Sequence, residues 1–147
     1  MLLTRLVDAS NEVAGLRGRK AKVAVLAKVL TQAEGQIGLA AVLLAGELPD
    51  GRIGVGPSQL VAVGGTEPAD EPSLTLTRLR QDLSEIASIR GKGSKARRQA
   101  ALTAMWSAST PSEQDFLGRL LFGELRQGAQ ASLVTDAVAE ATQEVLL

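Results

Sequence analysis

Apolar residues recur at steps of three and four through most of the chain. Leu76, Leu79, Leu83 and Ile86 make one such stripe, Val23, Leu26, Ala27 and Leu30 a second, and Val134, Val138, Ala141 and Val145 a third. That spacing, with polar residues between, predicts amphipathic helices that each turn one face to a core. Two stretches are apolar nearly all round: Ile37 to Ala45 and, less completely, Phe116 to Phe122. They predict central, buried helices. No segment keeps the period-two alternation of β-branched residues that a strand needs, so the predicted fold class is all-α.

Punctuation residues agree. Thr110-Pro111-Ser112-Glu113 is a capping box with proline at the first helical position. Ser94 and Ser58 each precede a short helical pattern and are expected to cap it. Gly35, Gly46 and Gly123 stand where helices are expected to end. The stretch from Gly64 to Pro72 holds two glycines, two prolines and three acids, the composition of a loop or linker.

The linker separates halves that resemble each other. At an offset of 73, Thr4-Arg5-Leu6 matches Thr77-Arg78-Leu79, Glu12-Val13-Ala14 matches Glu85-Ile86-Ala87, and Leu16-Arg17-Gly18-Arg19 matches Ile89-Arg90-Gly91-Lys92. At an offset of 77, Leu43 to Leu48 matches Leu120 to Leu125. Two blocks in the same order argue against chance. The expected organisation is a single helical domain over residues 1–147. It comprises repeat one (1–63), a linker (64–73) and repeat two (74–147), packed as pseudo-symmetric halves because two copies are too few for a solenoid.

Composition narrows the chemistry. The 147 residues are 45% hydrophobic, too apolar for a chain disordered throughout. There is no His and no Cys, which removes a Ser-His-Asp triad, a thiol nucleophile and a zinc site of the usual ligands from this chain. Only Trp106, Phe116 and Phe122 are aromatic, too few for a base-stacking platform. No run approaches the roughly 18 apolar residues of a membrane span, and the first residues lack a secretory pattern, so the expected location is the cytoplasm.

The 16 basic and 16 acidic residues cancel, so any affinity for a polyanion must come from local segregation of charge. The segregation is there. Arg17, Arg19, Lys20, Lys22 and Lys28 occupy a window without acids, and Arg90, Lys92, Lys95, Arg97 and Arg98 another, at equivalent places in the two repeats. One such run alone reads as a solvated helix face. Two at symmetric positions match a ligand that is itself polyanionic and roughly two-fold, such as duplex DNA. Gly91-Lys92-Gly93-Ser94 leads into a helix whose first amides would face a phosphate. Gly51 to Gly56 follows a helix end, with Arg126 to Gln130 as its counterpart. Glycine there permits either a tight turn or close approach of a ligand. A helical protein-interaction module is the alternative reading, with the amphipathic stretch from Ala131 to Leu147 as its surface. The helix-surface pair Asp82 and Glu85 reads as solvated rather than catalytic.

Leu43 to Pro49, Arg52-Ile53-Gly54-Val55-Gly56 and Gly123-Glu124-Leu125-Arg126-Gln127-Gly128, with the helix, Gly-x-x-Ser loop and helix order from Leu79 to Trp106, carry a family resemblance. The chain resembles the N-terminal DNA-binding domain of ATP-dependent DNA ligases of the actinobacterial or archaeal-eukaryotic type. The resemblance implies an all-α, non-catalytic, monomeric domain that grips the minor groove of nicked duplex DNA during replication, repair and recombination. It implicates Gly54, Gly56, Ser94, Lys95, Gly123, Arg126 and Gly128 in holding phosphates. It implies no cofactor in this segment. The ligase's Lys-x-Asp-Gly motif does not occur here. ATP and Mg would belong to the nucleotidyltransferase and OB domains of the same parent chain, in a cytoplasmic, nucleoid-associated enzyme.

Overall fold

The structure is a computed structural model that describes residues 1–125 and 128–146; for 128, 129 and 144–146 it describes the helical backbone alone. Eight helices follow one another among the described residues: α1 (Leu3–Ala14), α2 (Arg19–Thr31), α3 (Ile37–Leu44), α4 (Pro57–Val63), α5 (Leu76–Ser88), α6 (Ser94–Ser107), α7 (Pro111–Phe122) and α8 (Gly128–Leu146). The described residues form no strand, and the fold class is all-α as the periodicity predicts. Four helices precede the linker and four follow it.

The stripes become the core. Leu76, Leu79, Leu83 and Ile86 of α5 are buried, as are Leu26, Ala27 and Leu30 of α2 and Val134 and Ala141 of α8; Val23 and Val138 are half-buried. The side chain of Val145 lies outside the described residues. Residues of both halves, from Leu3 to Ala141, join one apolar cluster.

Three local expectations are corrected. Ser94 is the first residue of α6, whose N-cap is Gly93 in the left-handed region, so its hydroxyl caps nothing. Ser58 lies inside α4; Gly56 is the N-cap, and Gln59 reaches back so that its Oε1 accepts from the Gly56 amide at 3.3 Å. Before Ser94 the left-handed Gly93 turns the chain, and before Ser58 Pro57 opens the helix one residue early. The α3 helix is not buried all round: Ala40, Leu43 and Leu44 are covered, Leu39 and Val42 half so, and Gly38 is exposed, because the helix floors an open cleft against α5. The Thr110 box forms as expected. Thr110 Oγ1 accepts from the Glu113 amide at 3.3 Å and Glu113 Oε1 from the Thr110 amide at 2.9 Å, in a site where Glu113 is fully buried.

The halves are interlocked. The last helix of each packs on the other: α8 lies along α2 and against α3, while α4 lies on α6 and α7. Within each half, the first two helices pair, α1 with α2 and α5 with α6. The starts of α1 and α5 meet in an isolated antiparallel bridge between Leu2 and Thr75. The Leu3 amide donates to the Leu74 carbonyl at 2.8 Å and the Leu76 amide to the Met1 carbonyl at 2.9 Å. Each of these bonds becomes the other when residue numbers are shifted by the 73-residue offset of the repeat. The linker is tied down on the second half, its Ala69 amide donating to the Ser109 carbonyl at 2.9 Å.

At the centre the turns after α3 and α7 press together. Gly46 has φ +81°, and a Cβ there would fall on the backbone carbonyl of Leu125. Gly35 shares a positive φ of +71° but has open space around it. Gly35→Ala is therefore expected to cost only the left-handed strain of about 1–2 kcal/mol, and Gly46→Ala that plus roughly 1–3 kcal/mol for the overlap. Urea unfolding measures both, and equal costs would mean that the close approach constrains nothing. Thr110→Ala should lose about 1 kcal/mol in the same assay, as expected for an N-cap.

Candidate nucleic-acid interface

The second cation window surrounds the C-terminal end of α5. The carbonyls there have no partners within the helix. Arginines supply them: Arg90 donates to the carbonyls of Ala87 and Ile89, Arg97 to that of Arg90, and Arg98 Nη2 to that of Ile89 at 2.6 Å. A cation beside a helix C-terminus is favoured by the dipole as well. None of the ion pairs among the described residues involves Arg90, Lys92, Lys95, Arg97 or Arg98. Five positive charges thus share one corner, outside every ion pair formed among the described residues.

The glycine loop of the first half lies against that corner. Gly54 has φ +73°, and a Cβ there would stand 3.4 Å from the Arg98 guanidinium carbon. Arg98 Nε is buried without a hydrogen-bond partner beside it. Gln59, nearly buried in α4, donates to the Lys95 carbonyl at 3.2 Å, and Gln99 donates back to the Gln59 carbonyl at 3.3 Å. The starts of α4 and α6 are thereby stitched side by side. Gly54, Gly56, Ser94 and Lys95 come together, and Lys95 is exposed.

The strip continues through the centre. Leu121 closes a cleft with Arg52 to Gly56. Gly123 ends α7 in the left-handed region with φ +79°, and Leu125 meets Gly46. Gln130 of α8 donates to the Leu44 carbonyl at 3.3 Å. One turn further, Ser132 and Asp136 receive Arg19, the first residue of α2. So the start of α8 sits beside the first cation window, as the start of α4 sits beside the second. Gly128 is the first residue of α8. Arg126 lies outside the described residues. Lys28 does not join the strip; it lines a groove with Asp8 and Glu12 of α1.

The first half's glycine loop therefore meets a cation of the second half, and the start of α8 meets Arg19 of the first. The linear sequence places loop and window of one half about thirty residues apart and contains no sign of this exchange. Arg98 and Gln59, which join the two elements, were legible only as a member of a charged run and as a residue three places past Gly56.

Known proteins resemble this chain over nearly its whole length. The family model described as DNA ligase N terminus matches residues 62–139, more than half of the chain. DNA ligase B of Mycobacterium tuberculosis is 43% identical over 144 residues, 96% of this chain and 28% of that protein. A Rhodococcus jostii protein named "Probable DNA ligase" is 42% identical over 142 residues, and a Nocardia farcinica protein of the same name 44% identical over 142. The chain spans little more than a quarter of the length of these relatives. An all-α domain with a family match across the second repeat and identity running through both halves has one placement: the chain belongs to the DNA ligase N-terminal domain family.

Proposed function

We propose that this domain binds duplex DNA through the strip and does no chemistry of its own. Backbone amides at the starts of α4, α6 and α8, with Lys95, Arg126 and the flanking cations, hold phosphates on both sides of a nick across the minor groove. The observation that carries this reading is the crossed packing that sets Gly54 and α4 beside the second window and the start of α8 beside Arg19, with five cations of the second window outside any ion pair among the described residues. Clustered like charges repel, and a polyanion relieves that repulsion while releasing its own counterions. Phosphate contacts carry little base information, which suits an activity indifferent to sequence. We take the halves to be related by a pseudo-two-fold; the interchanging bonds at Leu3 and Leu76 and the reciprocal packing of α4 and α8 support it. In the parent chain this domain would act as a monomeric DNA-positioning unit in replication, repair and recombination, in the cytoplasm with the nucleoid. The nucleotidyltransferase and OB domains would supply catalysis with ATP and Mg.

Phe122 favours a second reading. This aromatic is 47% exposed at the end of α7, beside a groove floored by Leu60 and Trp106, and suits a protein partner rather than phosphate.

Titration of labelled nicked and intact duplex at two salt concentrations decides between them. The expected slope of log affinity against log salt is about 0.9 per phosphate contact. Lys95→Gln and Arg126→Gln should each weaken all sequences alike and lower the slope by about 1. Salt-independent binding, or full affinity in both variants, would overturn the assignment; dimerisation without DNA retention would favour the protein partner.

A further inference from the structure

The two ends of the strip differ in the acid that reaches them. The α4 sequence, Pro57 to Val63, contains no charged residue, so the helix beside the second window brings nothing to oppose its five cations. The helix beside the first window carries Asp136 and Glu140. Asp136 Oδ2 lies 2.6 Å from Arg19 Nη2, and the same nitrogen donates to Ser132 Oγ at 2.7 Å. Both charged side chains remain about half exposed, at 51% and 54%. A pair this open to water is weak and readily exchanged. Nor is it needed to hold α2 to α8, whose contact is already the most extensive between any two helices of the molecule.

We propose that Arg19 is a phosphate ligand held in reserve by Asp136, whose carboxylate occupies the guanidinium until a DNA phosphate replaces it. The proposal rests on the duplex-binding reading above. Carboxylate and phosphate offer a guanidinium the same kind of charged oxygen pair, so the exchange keeps the geometry while changing the partner. Ser132 Oγ remains as a second acceptor that keeps the Arg19 side chain turned toward the start of α8 during the exchange. The displaced Asp136 then stands near the incoming phosphate and opposes it. The strip is accordingly asymmetric. The corner of Lys92 and Lys95, both exposed, is open to a DNA phosphate at once, and the Arg19 corner engages only after giving up its internal anion. Asp136 thus trims the affinity of one end, an effect that a count of basic residues does not disclose.

The test uses the 147-residue chain and nicked duplex at low and moderate salt. Asp136→Asn is expected to tighten binding by about three- to tenfold at low salt and to steepen the salt slope by about 1. Asp82→Asn, which removes the same charge from an acid paired with Arg78 off the strip, is the control and should change affinity less than about twofold by long-range effects alone. In an Arg19→Gln background Asp136→Asn should tighten binding less than it does with Arg19 present, because only the direct opposition between Asp136 and the phosphate is left to relieve. Equal tightening by Asp136→Asn with and without Arg19, or by Asp82→Asn, would assign the gain to net charge and overturn the exchange. An unchanged affinity in Asp136→Asn would overturn it too. Salt-independent binding by the unaltered chain would instead remove the duplex-binding reading beneath it. Helical circular dichroism of each variant verifies that these surface changes leave the fold in place.

Discussion

Neither half of this chain covers its own last helix. The α4 helix rests on α6 and α7, and α8 rests on α2 and α3, so each half completes the other. Apolar burial is the driving term, since a covered Leu or Val contributes roughly 1.5–3 kcal/mol. The exchange joins the two halves through a shared apolar core. It also requires the turns after α3 and α7 to meet at the centre, where only glycine at 46 leaves room for Leu125. Everything that defines the surface strip follows from this crossing. Because α4 and α8 are handed across, the loop before α4 arrives beside Arg98 and the first turns of α8 beside Arg19.

The electrostatics depend on the same crossing. A chain of zero formal net charge has no long-range pull on a polyanion. At distances near the Debye length of about 10 Å, however, local clusters dominate. The arginines at 90, 97 and 98 answer the open carbonyls of α5, which fixes their positions and keeps their charges together. A structural task and the proposed binding task fall to the same guanidinium groups. At the other end Arg19 also has a fixed place, but Asp136 provides it, and the charge is cancelled where it stands.

Much of the architecture could be read from residue order. The apolar stripes at Leu76 to Ile86 and Leu26 to Leu30 identified helices and their buried faces because a 3.6-residue period is a local property. The Thr110 capping box was legible for the same reason: all of its partners lie within four residues. Ser94 misled because the left-handed Gly93 turns the chain without any side-chain cap, and a sequence does not display φ; Ser58 misled because the helix already opens at Pro57. The apolar run of α3 misled because composition reports how much apolar surface exists, not how much neighbouring structure is available to cover it.

The sequence by itself determined an all-helical chain, two cation windows and two glycine loops, since each is written in short-range spacing. Only the tertiary structure decided which loop faces which window, that Arg98 lies against Gly54, that Lys28 turns away toward α1, and that Asp136 occupies Arg19. Those pairings join residues from 16 to 117 positions apart. Such contacts are set by how helices pack once their apolar faces close, and packing is a property of the assembled core rather than of any window along the chain.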